Sequence, residues 1–133
     1  MEERELKERK NEELLTGLLK QKKCGAFREA ASKMHAADIA AVMDSMEDEE
    51  SLEMFRILPK DIAADVFAQL EIEDQHYIIQ SLSEKEAGKV IDNLMADDAA
   101  DLLEEMPANV VKKILKDASP DTREDINHLL QYP

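Results

Sequence analysis

Tryptophan is missing from this sequence of 133 residues, three phenylalanines and two tyrosines make up all its aromatics, and glycine and proline occur only three and four times. So few turn formers, with threonine nearly absent as well, leave little material for β-hairpins and point to an all-helical protein. Hydrophobic residues still make up 44% of the chain, and seven of them are methionine. The core they form is therefore aliphatic and Met-rich. Cys24, the single cysteine, excludes an intramolecular disulfide and fits a reducing, cytosolic compartment. No apolar run approaches the roughly 18 residues needed to span a bilayer, and no signal peptide opens the chain, so a soluble chain is expected.

Positive charge is scarce in the middle of the chain. Residues 1–33 hold nine Lys/Arg against seven Asp/Glu, residues 34–111 hold four against twenty, and residues 112–133 hold four of each. The net charge of −14 therefore comes from the middle segment. Nucleic acid and anionic membrane surfaces would be repelled by such a face. Divalent cations and basic protein surfaces would not.

Sequence motifs for chemistry are also lacking. There is no GxGxxG, no GxxxxGK[ST] and no GxSxG, so nucleotide binding and hydrolysis have no support and the chain reads as no enzyme. His35, His76 and His128 have no HxxH or CxxC companion, and a zinc site would need three separate helices to converge. His35 opens a helix, and His76 and His128 are read as helix-surface residues. The acidic run from Asp44 to Glu53 lacks the glycine and the ligand spacing of an EF-hand loop.

What is present is a repeat. Pairs of adjacent apolar residues, each closed by a third, recur every twelve positions. They are Val42/Met43/Met46, Met54/Phe55/Leu58, Val66/Phe67/Leu70, Ile78/Ile79/Leu82, Val90/Ile91/Leu94, Leu102/Leu103/Met106 and Ile114/Leu115/Ala118. Ala30/Ala31/Met34 and Leu18/Leu19 keep the register upstream; Ile126 and Leu130 end it, with Asn127 as a mismatch. Pro59, Pro107 and Pro120 fall at helix starts, Ser83 with Glu86 forms a capping box, and Ser119 is an N-cap. A step of twelve leaves helices of about eight or nine residues. Helices so short persist only by stacking their apolar stripes on one another. The predicted architecture is thus an all-α solenoid of about ten short helices. Residues 1–23 form a charged N-terminal helix, frayed over its first ten residues, that docks through Leu14, Leu15, Leu18 and Leu19 and is broken at Gly25. A short helix near 26–34 follows, and residues 24–133 carry the repeat, in one compact domain with 1–23.

One helix is unusually acidic. In Met95-Ala96-Asp97-Asp98-Ala99-Ala100-Asp101-Leu102-Leu103-Glu104-Glu105-Met106-Pro107, the residues Ala99, Leu102, Leu103 and Met106 form an apolar stripe. Asp97, Asp101 and Glu105 follow one another at the i, i+4, i+8 spacing along its flank, where like charges repel. Asp97 and Asp98 also suit the positive end of a helix dipole. Two readings stand from spacing alone: a solvated face, or a site for a cation or partner.

This stretch resembles the intracellular N-terminal domain of MgtE-type magnesium transporters, as do Met34-His35-Ala36-Ala37-Asp38-Ile39-Ala40, Phe55-Arg56-Ile57-Leu58-Pro59 and Ile62-Ala63-Ala64-Asp65-Val66. The likeness runs from about Leu14 to Tyr132-Pro133, a pair that in the family leads into two cystathionine-β-synthase-type (CBS) domains. Ala36 departs from the family, which often has proline there. The resemblance implies a right-handed superhelix of short helices at the cytoplasmic side of the cell membrane, in a parent protein that is a homodimer. It implies regulation: Mg²⁺ held weakly between this domain and the CBS pair closes the pore, and its loss opens it. By motif, the metal-facing residues are Asp65, Asp97, Asp98 and Asp101. A structural interaction module is the alternative, since similar repeats stack protein on protein in the flagellar motor switch protein FliG without sensing an ion.

Overall fold

The computed structural model describes residues 2–130; Tyr132 and Pro133, expected to lead onward, lie outside them. Ten helices occur among the described residues, with no strand: α1 (Glu3–Lys20), α2 (Cys24–Ser32), α3 (Ala36–Asp44), α4 (Asp48–Ile57), α5 (Lys60–Gln69), α6 (Ile72–Ser81), α7 (Glu84–Asn93), α8 (Ala96–Glu104), α9 (Ala108–Leu115) and α10 (Pro120–Leu130). From Cys24 onward every helix begins twelve residues after the one before it.

The apolar triplets explain this regularity. In most sets the third residue closes its helix by donating its backbone N–H to the carbonyl of the pair's second member, as Leu58 does to Phe55, Leu70 to Phe67, Leu94 to Ile91 and Met106 to Leu103, whereas Leu82 donates to Ile78, the first member of its pair. The last turn is thereby tightened to i→i−3 bonding. Helix starts are more varied. The capping box of Ser83 and Glu86 forms as expected, at 3.1 Å in both directions. The Ser119 hydroxyl accepts from Thr122 N–H at 3.3 Å. Pro59 and Pro107 stand at the N-cap and Pro120 is the first residue of α10. Two starts are tied down from a distance: Asp92 Oδ1 accepts the Ser119 N–H at 2.9 Å and Asp44 Oδ1 accepts the Glu71 N–H at 3.4 Å. Asp44 and Asp92 occupy the same register position, four steps apart.

The chain divides into two compact units, Met1–Glu71 and Ile72–Pro133. In the first, α3 packs on α1 and α5, and α2 on α1 and α4. Its centre holds the fully buried Leu15, Phe27, Ile39, Met43, Met54 and Phe67. The rings of Phe55 and Phe67 meet at a centroid distance of 5.8 Å, tilted by 59°. In the second, α8 packs on α6 and α10, and α7 on α9. Ile78, Ile79, Ile91, Leu102, Leu103 and Ile126 form that core. Gly88 sits where a Cβ would lie 2.8 Å from the backbone carbonyl carbon and oxygen of Asp117, so the segment after α9 reaches α7 only because the side chain is absent.

Several details depart from the expectations. α1 runs from Glu3, with alternating charge such as the Arg4–Glu8 pair at 3.8 Å along its exposed first turns. Leu15 and Leu19 dock it, whereas Leu14 is 47% exposed. Its stop is not Gly25, which lies inside α2, but Lys22 in the left-handed region at φ 57°. Lys22 N–H bonds to Leu19 O and Lys23 N–H to Leu18 O, the Schellman pattern. The position three residues ahead of an apolar pair is also buried at Phe27, Ile39, Ala87 and Ala99, and half-buried at Ala63, Gln75 and Val111. Ser51 holds the same position, 2% exposed and with its hydroxyl unpartnered.

Candidate functional site

The acidic stretch folds as α8, in the second unit. Ala99, Ala100, Leu102 and Leu103 are buried and hold the helix against α6 and α10. That fixes which side faces outward. Asp97, Asp98, Asp101, Glu104 and Glu105 are all exposed. Asp97 and Asp98 stand in the first turn, where the helix dipole favours a negative charge. Asp101 lies one turn further on, beyond most of that benefit. No side-chain hydrogen bond or ion pair among the described residues engages any of these three aspartates.

Asp65 is exposed as well, on α5 of the first unit. It precedes Val66 as Asp101 precedes Leu102, so both hold the same register position. The structure brings Asp97, Asp98 and Asp101 onto one helix; it does not assign Asp65 to that group. None of the four belongs to a set of three or more convergent ligand atoms among the described residues. They offer hard carboxylate oxygens backed by no protein donor. Such a donor set fits a hydrated magnesium ion, which binds through one or two carboxylates and keeps several waters, and it does not form a closed cage.

The other candidates take different places. His35 is the N-cap of α3 and His128 an exposed residue of α10. His76 is half-buried, and its Nε2 is enclosed without a hydrogen bond. Cys24 opens α2 and is half-buried.

A family model, that of the MgtE intracellular N domain, matches residues 34–133. The chain belongs to this family. The match takes in α3 through α10, and so all four aspartates, and leaves α1 and α2 outside it. The MgtE N domain seen here is also similar in fold to the crystal structure of the soluble part of a magnesium transporter, with a TM-score of 0.83 at 22% identity. The likeness covers 95% of this chain and 50% of that one, so the chain spans half the length of the structure it matches. No curated protein matches it. No helix among the described residues of this N domain is long and apolar enough to cross a membrane.

Proposed function

We propose that this chain is the regulatory domain of a magnesium transporter, acting at the cytoplasmic side of the cell membrane and not as an enzyme. Its membership of the MgtE N-domain family over residues 34–133 carries the reading. Its short helices wind into a right-handed superhelix, in a parent that is a homodimer. When magnesium is plentiful, the ion is shared weakly between a CBS pair of the same polypeptide and the carboxylates of Asp65, Asp97, Asp98 and Asp101. Sharing the ion draws the two acidic surfaces together and the pore closes. When magnesium falls, the carboxylates repel and the surfaces part. Exposed aspartates on α8 without protein partners support this, because nothing must be broken before the ion binds.

A ligand shifts a two-state equilibrium only by its differential affinity for the two states. Sharing the ion between two surfaces supplies that difference. The test is limited proteolysis of the protein extended through its CBS pair, titrated with Mg²⁺ in the millimolar range. Protection is expected with the wild type and is lost when Asp97 and Asp101 are both changed to Asn. Protection that ignores the double substitution makes these side chains a solvated face and favours the interaction-module alternative.

A further inference from the structure

Met95 is 70% exposed, the most open large apolar side chain among the described residues. It is the N-cap of α8 yet gives that helix no side-chain hydrogen bond, at a register position where Ser83 and Ser119 do cap theirs. It therefore neither packs nor caps. Asp97 and Asp98 follow it directly, so it forms an apolar knob flanked by negative charge.

The first unit holds the complementary feature. A notch of about 190 Å³ is lined by Leu18, Leu19, Lys22, Cys24, Glu53 and Ile57. Arg28 Nε donates to the carbonyl of the lining residue Ile57 at 3.1 Å. Lys20 and Lys23 are exposed neighbours of Lys22 in the chain. Lys22 is held in a left-handed conformation that glycine would adopt without strain, and it lines the notch. These cations all lie in residues 1–33, outside the family match, in a chain of net charge −14.

We infer that the two features meet in a contact between two copies of this chain, with Met95 of one copy seated in the notch of the other and Asp97 and Asp98 facing Lys22 and Lys23. An unbranched thioether fills an irregular notch readily. The opposed charges steer the encounter and set its orientation, and Glu53 limits but does not cancel the positive charge there. A patch this small gives weak association that falls as salt rises. The contact needs no ion, but it engages Asp97 and Asp98, so it competes with the proposed magnesium site for the same carboxylates.

Sedimentation of the chain at low and high ionic strength tests it. The wild type should gain mass with concentration at low salt and lose that gain at high salt. Met95→Ser should weaken association about tenfold or more without lowering the melting temperature, because serine supplies the missing cap. The double variants Lys22→Glu/Lys23→Glu and Asp97→Lys/Asp98→Lys should each be monomeric alone. Mixed one to one, they should associate as the wild type does, since each then meets its opposite charge and both are shown to be folded. A wild type that stays monomeric to about 0.5 mM, far above the range of specific complexes, overturns the inference. So does unaltered association of Met95→Ser, or a mixture that stays monomeric.

Discussion

Positions 22 and 88 show how single residues set the backbone of this chain, and each holds what the other would be expected to hold. Lys22 adopts φ 57°, where a Cβ is disfavoured by about 1–2 kcal/mol and glycine is not. Gly88 lies within α7, where alanine is ordinarily the better helix former by about 1 kcal/mol. The environment reverses that preference: a Cβ at 88 meets backbone atoms of Asp117 at 2.8 Å, and backbone cannot swing aside as a side chain can. Opposite signs therefore follow from two glycine exchanges. Lys22→Gly should stabilise by about 0.5–1 kcal/mol, the relieved strain exceeding the extra freedom gained by the unfolded chain. Gly88→Ala should destabilise by about 2 kcal/mol, as overpacking does. Paired urea melts check both. A stabilising Gly88→Ala would show that the segment after α9 yields, and an unchanged Lys22→Gly that the turn is not strained.

At the scale of the helix, much was legible in the sequence because the same backbone bond recurs. The residue that closes an apolar triplet makes, in every set but that of Leu82, the i→i−3 bond that ends the helix, so hydrophobic period and helix length report one event. Other features escaped the reading. The position shared by Phe27, Ile39 and Ala87 is also held by Ser51, and so shows no uniform apolar signal. The links from Asp44 to Glu71 and from Asp92 to Ser119 join residues 27 apart, a separation that no local motif announces. The stop of α1 rests on a lysine in a conformation usually marked by glycine. For α8 the outward face was legible, since the apolar stripe leaves the aspartates nowhere else to point. The relation of Asp65 to them was not, because equal register on different helices does not by itself give a shared surface. The orientation of α8 yields a further contrast. Leu103 is 1% exposed, so Leu103→Asp should unfold the chain or cost at least about 3 kcal/mol by burying an unpaired carboxylate. Asp101→Asn should stay within about 0.5 kcal/mol of the wild type. Similar melting losses for the two variants would mean that α8 is turned the other way.

For the molecule as a whole, charge separates general screening from a specific site. Residues 34–111 carry twenty acidic and four basic side chains, a self-repulsion that any added salt relieves. Magnesium will therefore stabilise the chain whether or not it has a binding place, and a rise in melting temperature alone decides nothing. The informative comparison sets magnesium against sodium at equal ionic strength, for the wild type and for the Asp97→Asn/Asp101→Asn double variant. Exposed carboxylates on a single helix form only part of an ion site, so affinity for the chain by itself should be low. Even at a concentration equal to Kd, one such site adds only about 0.4 kcal/mol. We expect the magnesium-specific excess over sodium to be of that order or smaller in the wild type, and absent in the double variant. An excess of about 2 kcal/mol or more at low millimolar magnesium would mean that the chain closes a complete site by itself. The need for a second acidic surface, on which the proposed switch depends, would then fall away.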